Sequence, residues 1–297
     1  MRKVVIALKD CGEAARLAAA SAASAGREAR VVVVHVVEGR SQRHLATADH
    51  AVAHAVDLLR SRGIAARGHV VVTGEGGVAG SLVEQARASG ADVVVMGSRG
   101  LGNVGGLVGH SVSHAVLADL DVPVLILPDA ARAPRHGLRR VLVAVGGEED
   151  VVAAVAAVRL LSGATSELLV VHVPRRVAIH AAVGSAGTFL EIGETSTAVL
   201  AAAARSFRAA GRRIDTRTVD RDGGVAVAIC DTAREWDADL IVLGPRRPGA
   251  WEAVVAGSTS LGVLQRSDRP VLIAGRPTPS EQVKHGGAGL RASTHSG

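Results

Sequence analysis

Tyrosine is absent from this 297-residue chain, and two tryptophans and two phenylalanines are its only other aromatics. Its cores must therefore be built from Val, Leu, Ile and Ala, and stacking of bases on aromatic rings is not available as a way to hold nucleic acid. Cysteine is nearly as scarce. Cys11 and Cys230 stand far apart with no partner at CxxC spacing, which argues against a disulfide framework or a zinc site and predicts reduced thiols in a cytoplasmic protein. No apolar run approaches the length of a membrane span, and Met1-Arg2-Lys3 runs straight into a short strand, so a soluble, intracellular chain is expected. No GxxxxGK[ST] loop is present for phosphoryl transfer. The formal net charge is +6 with a pI near 10.5, but the arginines are scattered, as on a solvated surface that attracts small anions rather than on a nucleic-acid patch.

What the chain does contain, it contains twice. Ala91-Asp92-Val93-Val94-Val95-Met96-Gly97-Ser98-Arg99 returns as Ala238-Asp239-Leu240-Ile241-Val242-Leu243-Gly244-Pro245-Arg246, and Pro123 as Pro270, each 147 positions later. Nearer the start of each copy, Val34-His35-Val36 returns as Val171-His172-Val173 at an offset of 137, so the second copy holds ten extra residues. A period this long is a domain duplication, because solenoid repeats are much shorter. The expected division is 1–129, 138–275 and a disordered tail at 276–297, which is rich in Pro, Gly, Ser and His.

Each copy alternates short apolar runs with Ala-rich amphipathic stretches. In the first, strands are expected at Val4 to Leu8, Val31 to Val37, Ala65 to Val72, Asp92 to Met96 and Val124 to Leu127. Helices are expected at Glu13 to Ala25, Thr47 to Arg62, Val78 to Ser89 and Ser111 to Leu120. Continuous apolar strands joined through helices predict an α/β fold: two flavodoxin-like (Rossmann-like) domains, each a five-stranded parallel sheet with helices on both faces. The ten-residue insertion falls in Pro174 to Gly193 and is expected to be a surface loop.

In such a sheet, ligands bind beyond the carboxyl ends of the strands. The loop after the first strand and the glycine-rich loop from Gly97 to Ser111 are thereby brought forward, the latter as a phosphate cradle ahead of a helix N-terminus. Gly97-x2-Gly100-x9-His110-Ser111 resembles the G-x2-G-x9-G-[S/T] loop of nucleotide-binding universal stress proteins, and the chain as a whole resembles a tandem member of that family. The resemblance implies ATP as ligand and an aspartate after the first strand. Here Lys9 occupies that position, with Asp10 next to it, and His110 replaces the third glycine; its ring either obstructs phosphate or donates to it. In the second copy Gly244, Gly257 and Ser258 fit, whereas Arg247 replaces the second glycine and Gly146 the aspartate. The residues implied for the nucleotide are Leu8, Lys9, Val36, Met96, Gly97, Arg99, Gly100, His110, Ser111, Val112 and Ser113 in the first copy. In the second they are Gly244, Arg246, Arg247, Gly257 and Ser258, with the arginines suited to phosphate oxygens. The resemblance also implies an intramolecular pseudo-dimer through the last strands, Val122 to Leu127 and Arg269 to Ala274, with homodimerisation through another face left open.

Other signals carry less. Gly100-Leu101-Gly102-Asn103-Val104-Gly105 satisfies GxGxxG, but in a dinucleotide fold that loop follows the first strand. His50 and His54, like His110 and His114, have metal-compatible spacing without a completing carboxylate. His35 and His172 alternate within buried strands and read as core or sheet-edge residues. Gly109-His110-Ser111-Val112-Ser113 is not a nucleophile elbow. The expectation is a binder that senses or signals rather than an enzyme, with a ligand-free interaction module or a slow ATPase as the alternatives.

Overall fold

The computed structural model describes residues 2–25, 28–98, 112–131, 137–161, 165–179, 188–192, 194–220, 223–245 and 259–276. The expected tail beyond Arg276, the glycine-rich loops at 99–111 and 246–258, and most of the linker therefore lie outside the described residues.

The first copy comprises β1 (Lys3–Leu8), α1 (Cys11–Ala25), β2 (Arg30–Val37), α2 (Gln42–Arg60), β3 (Ala65–Val72), α3 (Gly77–Ser89), β4 (Val93–Gly97), α4 (Val112–Asp119) and β5 (Val124–Leu127). The second comprises β6 (Arg140–Ala144), α5 (Glu148–Leu161), β7 (Glu167–His172), β8 (Arg175–Ile179), β9 (Thr188–Ile192), α6 (Ser196–Ala209), β10 (Asp215–Thr218), α7 (Val225–Glu235), β11 (Leu240–Leu243), α8 (Thr259–Arg266) and β12 (Val271–Ile273). The inner strands are buried on both faces, which is why they read as unbroken Val/Ile/Leu runs. The helices place one stripe on the sheet: α2 buries Ala48, Ala51, Val52, Ala55, Val56 and Leu59 at helical spacing. Gly90, left-handed at φ 58°, ends α3. The aspartate of each Ala-Asp pair is explained by structure. Asp92 accepts the Lys3 amide at 2.7 Å, and Asp239 accepts the Arg139 and Arg140 amides at 2.8 and 2.9 Å, fastening the fourth strand of each copy to the start of its first.

All the principal strands form one ten-stranded sheet in the order β10-β7-β6-β11-β12-β5-β4-β1-β2-β3. Within each half the strands are parallel in Rossmann-like order 3-2-1-4-5, and the halves meet through the antiparallel pair β5–β12. The register there is Val271↔Ile126, Leu272↔Leu125 and Ile273↔Val124. Leu125 and Leu272 are repeat equivalents, 147 positions apart, and they face each other. A pseudo-twofold axis therefore passes between them, and the contact is isologous. Because the junction is antiparallel, the carboxyl ends of the two sets of parallel strands lie on opposite edges of the sheet. Two core layers, one on each face, both draw on residues from both copies. The Arg276–Asp121 ion pair at 3.1 Å and the Arg2–Arg159 carbonyl hydrogen bond at 3.3 Å also join the copies.

Two expectations need correction. Helix α2 begins at Gln42, five residues before the expected Thr47. The insertion is not only a loop: β8 and β9 pair antiparallel, with Val177 opposite Leu190 and Arg176 opposite Glu191. The small residues and glycines between these strands dominate the composition of the segment and hide the two short runs that flank them.

Leu125 is fully buried at the pseudo-axis. A Leu125→Pro change removes one ladder hydrogen bond and the packing at this point. The two halves should then separate into an extended, aggregation-prone particle in small-angle scattering, whereas the wild type should scatter as one compact two-lobed body. An unchanged profile with unchanged melting would show that the pair contributes little.

Candidate functional site

In each half the strand order reverses between the first and fourth strands, and the crevice a ligand would use opens beyond their carboxyl ends. In the first copy β1 and β4 lie side by side, with Ala7 opposite Met96. Leu8 and Met96 are buried at that edge, while Lys9, the next residue, is exposed. Val36, on the neighbouring β2, is half-buried among the residues of the second core layer. Ser113, in the first turn of α4, is buried and donates to the carbonyl of Gly97 at 3.4 Å, fastening the helix to the strand end. Val112 beside it is exposed. The structure thus brings Leu8, Lys9, Val36, Met96, Gly97, Val112 and Ser113 to one edge. Arg99, Gly100, His110 and Ser111 lie outside the described residues.

Asp10, not Lys9, turns inward after β1. Its carboxylate accepts the Glu13 amide at 3.1 Å in the first turn of α1, the role of a residue that caps a helix start. Nearby, Nδ1 of His35 is buried without a hydrogen-bond partner. Burial holds this imidazole below the ordinary histidine range, and the charge of Asp10 opposes that shift. Its repeat equivalent, His172, is buried and pairs through Nδ1 with the Ser196 hydroxyl at 2.9 Å. His50 and His54 are exposed on α2.

Sequence reasoning missed a buried acid in each copy. Glu13, in the first turn of α1, and Asp150, its equivalent 137 positions later in α5, are both buried. A Cβ added at Gly97 would lie 2.5 Å from Oε1 of Glu13, and one at Gly244 would lie 2.6 Å from Cγ of Asp150. A side chain at either glycine would therefore press on a buried carboxylate, and most at Gly244, where the short Asp150 has least room to shift, whatever binds beyond. The signal was available in principle: an acid recurs at the same repeat position inside an Ala-rich, core-facing helix.

In the second copy Gly244 ends at this acid, and Gly146 follows β6 without a side chain. Asp150 accepts the Gly146 amide at 2.9 Å and also bonds the Gly147 amide. Glu194, just after the β8–β9 hairpin, accepts the Glu148 amide at 2.6 Å. Arg246, Arg247, Gly257 and Ser258 lie outside the described residues.

Burial holds the carboxyl of Asp150 above its usual range; the two amides pull it down and the charge of Glu194 adds to the rise. A folded-state pKa above the unfolded value means that the native state binds the proton more tightly, so this group lowers stability as pH rises from the unfolded pKa through the folded one. In Asp150→Asn that component should vanish. The wild-type-minus-variant stability, followed by urea unfolding from about pH 4 upward, should fall and then level off. A flat difference would place Asp150 in an ordinary solvated setting.

Among the described residues no helix is long and apolar enough to cross a membrane. The family model for "Universal stress protein family" matches residues 1–128 and 137–275. A universal stress protein of Synechocystis is 43% identical over 60 residues, which is 20% of this chain and 38% of that protein, so the match spans well under half of the relative's length. A universal stress protein from Archaeoglobus fulgidus DSM 4304 superposes with a TM-score of 0.69 at 19% identity, covering 92% of this chain and 96% of that one. A protein from Pseudomonas aeruginosa PAO1 described as functionally unknown does so with a TM-score of 0.56 at 14% identity, covering 96% and 95%. With the family model matched in both halves of a single merged sheet, the chain belongs to the universal stress protein family, as a tandem member.

Proposed function

We propose that the protein is an adenine-nucleotide binder, with ATP held in the crevice of the first copy, and that it signals its occupancy rather than turning ATP over. The observation that carries this reading is the meeting of Leu8, Met96 and Gly97 at the reversal of strand order, with Val36 and the Ser113 turn on the same edge. The adenosine side falls to Leu8, Lys9, Asp10, Val36 and Met96. The phosphates fall to Gly97, Gly100, Ser111 and Ser113, with Arg99 as the cationic partner. Asp10 supports the reading because it supplies the carboxylate that Lys9 lacks, one residue further on. The cytoplasm is the proposed location, and the lobes of one chain serve as each other's partner.

A ligand-free interaction module is the second reading, favoured by the unusual Lys9 and His110. Equilibrium binding of labelled ATP separates the two. The wild type should bind saturably, and Gly100→Val should weaken binding by at least tenfold while the melting temperature holds, because a branched side chain blocks backbone approach to phosphate. Gly257→Val, in the second copy, should leave affinity unchanged. Loss of binding in Gly257→Val alone would move the site to the other half, and no binding by the wild type would favour the interaction module. Phosphate release above the buffer rate would make the protein an ATPase.

A further inference from the structure

The two crevices share their buried acid but differ at the turn after the first strand. In the second copy three successive amides, those of Gly146, Gly147 and Glu148, converge on carboxylates of the chain itself: the first two on Asp150, the third on Glu194. Successive backbone N–H groups of this kind form a concavity suited to an anion, and here the anion is already supplied. Asp150 also abuts Gly244, with Oδ1 2.8 Å from where a Cβ would stand. One carboxylate therefore spans the ends of β6 and β11, the two strands between which a ligand would enter. The Glu149 carboxylate folds back over Gly147 as well, at 2.6 Å from the position of a Cβ.

Glu194 has an informative origin. It follows the β8–β9 hairpin, which lies in the segment where the second copy carries its ten extra residues. In the first copy β2 is joined to α2 by Glu38-Gly39-Arg40-Ser41 alone, all of them exposed.

We infer that the second crevice is closed to nucleotide by the chain's own carboxylates, and that the hairpin insertion exists there to deliver Glu194 as the closing residue. This rests on the nucleotide reading of the first crevice. A nucleotide entering the second would have to displace charge-assisted hydrogen bonds and bring its phosphates toward carboxylates of like charge. The full-length protein should therefore bind one ATP per chain, although it carries two copies of the fold.

The test uses the full chain, labelled ATP as probe, and two variants: Glu194→Ala, whose side chain is exposed, and Glu194→Ala combined with Asp150→Ser. Amide exchange followed by NMR reads the closure without any nucleotide. The Glu148 amide should exchange at least tenfold faster in Glu194→Ala, and the double variant should bind one more ATP per chain than the wild type. Unchanged Glu148 exchange overturns the inference. So does a released Glu148 amide with no added ATP in the double variant. If that variant melts below the assay temperature, Glu194→Ala alone carries both readouts, with measurable second-site binding expected and none overturning the closure. A wild type that binds no ATP refutes the first-copy reading separately, because the gain on opening the second crevice is then counted from zero.

Discussion

The antiparallel pairing of β5 with β12 is the constraint on which the rest of the molecule depends. Each is a short apolar strand, VLIL and VLI, buried along its whole length, and either one left at an edge would offer unpaired backbone groups to any neighbouring chain. Pairing them with each other removes both edges at once. The edges that remain are β3 and β10, and these carry exposed polar side chains, among them Arg67 and His69 on one and Asp215 and Arg217 on the other. The chain places its most apolar strands at the middle of a ten-strand sheet and its most polar ones at the ends.

That junction also separates the two crevices. With the halves antiparallel to each other, their carboxyl edges lie on opposite sides of the sheet, so a segment inserted after β7 can cover the second crevice and has no route to the first. Duplication therefore allows each site to change independently, while the cores beneath them stay continuous.

Most of the fold was legible in the sequence because it is written in strong periodicities. Unbroken apolar runs marked the buried strands, whereas the pairing of the last strands was implied by the family resemblance; there Leu125 and Leu272, repeat equivalents at the 147-residue offset, end up face to face. The less legible parts have physical reasons. The first turns of α2 are polar and exposed, from Gln42 to His44, so no apolar stripe marks where the helix starts. The hairpin strands are five residues each, and their pairing depends on register across a glycine- and alanine-rich segment. At the site, the loop glycines were read as concessions to a ligand. Gly97 and Gly244 also lie against the buried carboxylates of Glu13 and Asp150, and a pattern of glycines cannot distinguish those two constraints.

The buried acids explain why the two copies can diverge in binding while agreeing in shape. A carboxylate held against the end of the fourth strand is costly to bury unless its lone pairs are satisfied. With the shorter aspartate, the second copy meets this need from the amides of its own first turn, at Gly146 and Gly147. Those amides exist in any sheet of this order, but a turn without side chains lets the acid cover them closely. At Gly146 the chain has no side chain to offer a ligand, and none stands between the acid and the amides that it covers. The turn is satisfied by the chain's own carboxylate, so the fold of the second copy needs no ligand there.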